Sequence, residues 1–471
     1  MKQITKITIS ELYGEYTHSI NLNQKLTIIY GPNGVGKTTL LEISKLIVSG
    51  NFSKLSTIAF KDALIQYSDG SEIIFSKFEK GFDSDKLEIT SSESLIKAPR
   101  SKDFNHFESS NAIIVYDSSL NEIYKWEEAD QKPLIDWIED NTSWNRINDS
   151  AWRDNFDGEV RSTSEILEMY EHKRPSIENS SENRFTESKI KFNPDAIHLI
   201  ETQRLKIYDG KFNTFSGKRG IHGLRPYGHN ETKIEQISFT IVEKIREAQR
   251  ENSLISQKLE RTFPSRVLSG GTMRNLPSES DVRKRYDSQM SLRDRLEKII
   301  PNKDRLTSIS LPERELNPSD ITLLQIYLDD NEQKLAPFSN LVDKIELFTR
   351  IINERLSNKK ISIDPKKGIL LTKSNDTNIP LQSLSSGEQH EIILMAELIF
   401  NVQPGTLVLI DEPEISLHVS WQYKFIPDVL DISEVSKFKF LVATHSPQII
   451  DNHMYLAQRL GESNLRWDEK N

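Results

Sequence analysis

The sequence predicts an α/β fold built around a phosphate-binding loop, and three stretches predict it. In "KLTIIYGPNGVGKTTLLEISKLIV" an apolar strand runs into a glycine-rich loop and then into an apolar helix. In "GTLVLIDEPE" a buried strand delivers Asp411 and Glu412 at its C-terminal end. In "KFKFLVATHSPQII" a second buried strand ends in Thr444 and His445. Strands alternating with helices build parallel sheets, and ligands bind at the carboxyl ends of such strands.

The bulk composition fits this class. With 471 residues, 36 % hydrophobic and 28 % charged, the chain is long enough for two or more lobes. It has no cysteine, which excludes disulfide frameworks and thiolate metal sites. The net charge of −9 argues against general attraction to nucleic acid. "MKQITKITIS" lacks the apolar core of a signal peptide, and no run approaches a membrane span. A cytoplasmic protein with no membrane partner is expected.

Along the chain, "QITKITI", "SINLN" and "KLTIIYG" alternate as strands do, and residues 56–90 read as antiparallel strands joined at "SDGS". Residues 1–95 are therefore expected to form the N-terminal part of the head. Residues 96–190 are a polar insertion, in which Trp126, Trp137, Trp144 and Trp152 argue for packed structure. Residues 191–230 hold a return strand, "DAIHLIETQRL", and a basic loop. Residues 231–358 carry helical spacing, interrupted at "TFPSRVLSGG" and "ISLPERELNP", and predict a short helical or coiled-coil insertion. Residues 359–471 return to strands.

"GPNGVGKT" matches the phosphate-loop pattern at Gly31, Gly36, Lys37 and Thr38. Backbone N–H groups freed by the glycines close on phosphate oxygens, assisted by the helix N-terminus. Asn33, Gly34, Gly36, Lys37, Thr38 and Thr39 are the expected nucleotide contacts. Lys37 is expected on the β- and γ-phosphates and the Thr38 hydroxyl on Mg²⁺. Asp411 is a second candidate for the metal, and Glu412 for orienting or deprotonating the attacking water. His445, one strand beyond the acids, is a candidate for contacting the γ-phosphate or that water.

A second phosphate reader lies far downstream. "LQSLSSGEQHEII" sets Ser385, Ser386 and Gly387 at the start of an apolar helix, where free N–H groups and the helix dipole attract anions. Ser385 and Glu388 also fit a capping box, and both readings hold together.

Phosphate loop, LSSGEQ signature, LVLIDEPE strand and histidine, in that order, resemble the ATP-binding-cassette ATPases of the SMC, RecF and OLD type. The resemblance implies an ABC-type (SMC-like) ATPase head whose signature crosses a dimer to close on the ATP of the partner chain. It also implies a Q-loop glutamine on the metal side, for which Gln203 in "IETQRL" is the candidate, and places Ser416 and His418 of "EISLHVSWQ" in the dimer-contact loop. The short insertion together with "DEPE" and "ATHSPQII" is similar to AAA-family ATPase subunits of bacterial anti-phage systems such as Septu (PtuA) and PARIS (AriA). That likeness implies a slow Mg-dependent ATPase in a homo-oligomer, regulating a separate effector nuclease after a phage protein or nucleic acid triggers it.

Two other readings rest on particular residues. The 26 residues after His445 are too few for a fused nuclease, and "PDAIHLIETQ" carries Gln203 where a restriction-type site needs lysine. A RecF-like clamp that grips DNA on ATP closure is the alternative. Two basic clusters bear on it, Arg204 to Arg225 and Arg261 to Arg285, each of which also reads as a solvated loop or helix face.

Overall fold

The computed structural model describes residues 3–78, 111–127, 132–148, 151–156, 158–170, 197–201, 232–269, 277–301, 311–415 and 417–461. The chain divides into two compact units. The first takes residues 1–202, 403–415 and 437–471, and the second residues 203–402 and 416–436.

Two sheets carry the first unit. β1 (Ile4–Leu12), β2 (Tyr16–Asn21), β4 (Asp62–Tyr67), β5 (Glu72–Phe78), β6 (Ala112–Asp117) and β7 (Glu122–Glu127) pair antiparallel in the order β2-β1-β4-β5-β6-β7. The predicted turn at "SDGS" joins β4 to β5, with Gly70 at φ 80° where a Cβ is disfavoured. The second sheet contains β3 (Leu26–Tyr30), β11 (Ile197–Glu201), β15 (Leu407–Asp411), β16 (Lys439–Ala443) and β17 (Ala457–Arg459), in the order β11-β15-β16-β3-β17. All its pairings are parallel, and the register sets Glu201 beside Asp411, Asp411 beside Ala443 and Ala443 beside Ile29. The candidate acids and histidine thus leave neighbouring strands at one edge of the sheet. α1 (Lys37–Ser49) and the short α2 (Phe52–Ser56) supply Leu40, Leu41, Ile43, Ile47 and Leu55 to a core shared with both sheets. Burying each such side chain is worth about 1.5–3 kcal/mol.

A small satellite follows within the first unit. α3 (Lys132–Asn141), β8 (Trp144–Asn148), β9 (Ala151–Asp154), β10 (Val160–Ser162) and α4 (Thr163–Tyr170) enclose Trp144, Trp152, Leu134, Ile138 and Ile166. The Trp152 indole N–H, fully buried, donates to the Thr163 hydroxyl at 3.1 Å. Two of the four tryptophans are therefore core here, Trp137 packs against them, and Trp126 is buried on β7.

Three long helices dominate the second unit: α5 (Lys233–Ser269), α6 (Glu279–Ile299) and α7 (Pro318–Asn353). α7 begins where the sequence stops being extended, because Asn317 and Asp320 form a capping box ahead of Pro318. The break expected at "TFPSRVLSGG" does not fall at Pro264, since α5 runs through it to Ser269. Near this point the Leu259 carbonyl accepts from the Arg266 guanidinium at 2.9 Å and from the Thr262 hydroxyl at 3.2 Å. Arg266 also pairs with Asp330 of α7, while Arg285 pairs with Asp329 and Glu332. Two residues of the second basic cluster, Arg266 and Arg285, thus tie helices together. The first cluster and Arg274 lie outside the described residues.

The second unit closes with a three-stranded antiparallel sheet and two further helices. The strands are β12 (Lys359–Asp364), β13 (Gly368–Lys373) and β14 (Asn378–Ile379). α8 (Ser386–Ala396) continues into a π-helical turn at Glu397–Asn401, and α9 spans Val419–Ser436. The first unit ends with a short helix, α10 (Pro447–Ile450), ahead of β17. The α/β fold with a helical insertion expected from the sequence is the fold observed. Among the described residues, no helix is long and apolar enough to cross a membrane.

Candidate nucleotide site

The loop between β3 and α1 is built by glycine conformations and by crowding. Gly34 and Gly36 sit at φ 85° and 86°, in the left-handed region. A Cβ on Gly36 would lie 2.3 Å from the Leu12 side chain, and one on Gly31 2.5 Å from the Leu460 carbonyl oxygen. Both positions therefore require glycine. Asn33, Gly34 and Thr38 are exposed around the loop, while Thr39 bonds through its hydroxyl to that of Tyr13.

Lys37 is buried, and its Nζ donates to the carbonyls of Gly31 at 3.0 Å and Pro32 at 2.9 Å. Burial pushes its pKa down, and the carboxylates of Glu412, Asp411 and Glu414 oppose that shift. Three acids thus converge on one lysine, as a site that balances a polyanion and a cation needs.

The acids are held by the sheet. Asp411 ends β15, and Glu412 follows in the left-handed region at φ 46°. Such a conformation costs a side-chain-bearing residue on the order of 1–3 kcal/mol. The Glu412 N–H donates to the Ala443 carbonyl at 2.9 Å, which pins the strained turn to β16. His445 Nε2 lies 3.7 Å from Glu412 Oε1. Glu414 then bridges the two strand ends, accepting from the His445 N–H at 2.6 Å and the Thr444 hydroxyl at 2.8 Å. The motif reading passed over Glu414, and the last letter of "DEPE" was its only signal.

A cavity of ≈ 530 Å³ opens beside this cluster, lined in part by Tyr30, Gly31, Pro32, Thr444 and His445. The structure therefore brings Lys37, Asp411, Glu412 and His445 together around the loop. Gln203 and Ser416 lie outside the described residues. Among those described, no group of three or more His, Asp or Glu could hold a metal by itself. Thr38 and Asp411 offer an oxygen-only pair, the donor chemistry that suits Mg²⁺ when phosphates and water complete its shell.

Ser385, Ser386 and Gly387 belong to the second unit. Ser385 caps α8: its hydroxyl accepts the Glu388 N–H at 3.3 Å, and the Glu388 carboxylate accepts the Ser385 N–H at 2.7 Å. Lys359 holds the same carboxylate at 2.8 Å. Ser385 and Ser386 are exposed, and nothing lies within 4 Å of where a Gly387 Cβ would stand. His418, also in the second unit, is exposed with its ring 5.9 Å from that of Trp421.

Comparison with known families gives a match that spans the loop, the acids and the histidine. The family described as AAA ATPase domain matches residues 1–450. The chain belongs to that family. It is an ATPase. A stretch of 91 residues is 33 % identical to the Retron Ec83 probable ATPase of Escherichia coli, covering 17 % of this chain and 16 % of that protein. Most of that relative's length is thus unmatched. Among solved structures, this ATPase is similar to the Pyrococcus furiosus Smc head domain with an extended coiled coil bound to the C-terminal domain of ScpA. Identity there is 15 %, coverage 96 % of this chain and 91 % of the other, and the TM-score 0.32. For the SMC head domain of Thermotoga maritima the values are 10 %, 97 %, 92 % and 0.31.

Proposed function

We propose that this ATPase is the ATP-operated sensor or scaffold subunit of an anti-phage assembly of the PtuA or AriA kind. In this reading two chains associate head to tail, and the phosphate loop of one closes with the signature of the other on a single ATP. The observation that carries it is the helix N-terminus at Ser385–Gly387, where Ser385 and Ser386 are exposed and open space lies beside Gly387. Such a terminus is an anion site by its geometry, and it belongs to a different compact unit from Lys37. The likeness to a retron ATPase supports a defence setting.

Within the site, Lys37 exchanges the Gly31 and Pro32 carbonyls for the β- and γ-phosphate oxygens. Thr38 and Asp411 would hold Mg²⁺, which when bound neutralises charge on those oxygens. Glu412 orients a water and accepts its proton as the water oxygen bonds to the γ-phosphorus. The bond from that phosphorus to the β–γ bridging oxygen breaks, and ADP leaves with the electron pair. His445 faces the same oxygens from the neighbouring strand end. Hydrolysis opens the pair and resets the sensor, while a separate effector nuclease is held or released according to closure.

The test is to purify tagged Glu412→Gln protein from its native host with Mg-ATP, and to weigh the intact complex. A second protein at fixed stoichiometry that bears nuclease motifs supports the sensor reading. Nucleic acid without a protein partner would instead assign a RecF-like clamp.

A further inference from the structure

His18 breaks the pattern of its own strand. β2 turns alternate residues inward, and His18 is buried on the same face as Ile20. An imidazole at an apolar position costs stability unless it is hydrogen-bonded. Its Nε2 lies 2.7 Å from the backbone carbonyl of Val35, inside the phosphate loop. Because a carbonyl only accepts, Nε2 must carry the proton. Burial lowers the pKa of the ring, so the neutral Nε2–H tautomer is the one that fits. The Tyr16 ring stacks on the imidazole at 5.8 Å between centroids, with planes 13° apart, and restricts its rotation.

The bonded carbonyl belongs to a particular peptide. Val35 is flanked by Gly34 and Gly36, both left-handed, so the backbone on either side has unusually few steric restraints. In a planar trans peptide the C=O of one residue and the N–H of the next point in opposite directions. Holding the Val35 oxygen on the side of β2 therefore aims the Gly36 N–H away from β2. Gly36 is also the N-cap of α1 and has no side chain to fix its own orientation. The same hairpin crowds the loop through Leu12 and Tyr13, which a Cβ on Gly36 would strike or touch.

We infer that His18 is a positioning residue of the nucleotide site, its Nε2–H holding the Val35–Gly36 peptide so that the Gly36 N–H faces the phosphates. The inference rests on reading Gly31–Thr39 as the phosphate loop. With the restraint gone, the peptide between two glycines populates other orientations, and nucleotide affinity falls by the fraction of time it spends there. The rate of a bound, closed site changes far less.

The experiment compares His18→Leu, which removes the donor, with His18→Gln, which keeps an N–H donor. Each full-length variant is measured for melting temperature, Kd for a fluorescent ATP analogue with Mg²⁺, and kcat at saturation. Lys37→Ala serves as the control for the phosphate-loop reading. We expect His18→Leu to weaken nucleotide binding about tenfold with kcat nearly unchanged, and His18→Gln to recover most of that affinity. A folded His18→Leu with wild-type affinity overturns the inference, as does a His18→Gln variant that binds as poorly as His18→Leu. If His18→Leu does not fold, His18→Asn, whose donor is too short to reach Val35, is read in its place. Failure of all three variants to fold would reduce His18 to a structural residue and also overturn it. Normal nucleotide binding by Lys37→Ala would show instead that the phosphate-loop reading is wrong.

Discussion

Glu414 Oε1 accepts the backbone N–H of His445 at 2.6 Å, joining the turn after one strand to the segment after the next. Its other oxygen accepts the Thr444 hydroxyl, and Thr444 in turn accepts the Ser446 N–H at 3.0 Å. The histidine is thus placed by its backbone, and its ring stands 3.7 Å from Glu412 as a consequence. Hydrogen bonds to an ionised carboxylate are worth about 1.5–3 kcal/mol each. Glu414→Ala is therefore predicted to lower kcat by roughly 10- to 100-fold while leaving ATP affinity within about threefold. Steady-state phosphate release and equilibrium binding of a fluorescent ATP analogue separate the two effects. An equal loss in Kd would contradict the positioning role.

In the proposed function Lys37 and Glu412 act at different stages. Lys37 sits under the loop carbonyls and meets the phosphates on binding, so Lys37→Ala should weaken nucleotide binding by about 100-fold or more. In the proposed mechanism Glu412 acts on the attacking water, so Glu412→Gln should bind ATP normally and slow hydrolysis by on the order of 10²–10⁴. Equilibrium binding and single-turnover hydrolysis on each variant check both statements.

Three separate elements of the second unit meet in a buried charge cluster. Arg355, just after α7, pairs with Glu391 of α8 and Asp428 of α9. One guanidinium faces two carboxylates, and burial raises Glu391 to about 7 and Asp428 to about 6 against its pull. These groups ionise near pH 4 in the unfolded chain. Their folded pKa values are higher, so their stabilising contribution is full below about pH 4 and is lost as pH rises through 6 and 7. Glu391→Gln fixes the neutral form. Denaturation in urea should show this variant gaining on the wild type between pH 5.5 and pH 8, whereas a gap independent of pH would refute the raised pKa of Glu391.

How much of this was legible in the sequence depends on where each partner lies. The phosphate loop, the acids and His445 were readable because strand, loop and helix follow one another within a few residues. The capping box at Ser385 and Glu388 was readable for the same reason. Glu414 was not, because its partners lie on a strand 30 residues away and only the parallel register of β15 and β16 joins them. His18 reads as one more residue of an alternating strand until the hairpin is folded against Val35. Pro264 misleads because a proline usually ends a helix, whereas α5 continues through it to Ser269.

Completion of each site by a second chain is tested most directly by mixing two inactive variants. Lys37→Ala keeps its signature and loses its phosphate loop, while Ser385→Arg keeps the loop and puts a bulky cation where the phosphate should dock. Each alone should be inactive, with Ser385→Arg still binding ATP. Mixed in equal amounts, half the two-fold pairs hold one intact site, so about a quarter of the wild-type ATPase rate should return. A mixture no more active than its parts, or a Ser385→Arg variant that hydrolyses ATP at full rate alone, would contradict the account.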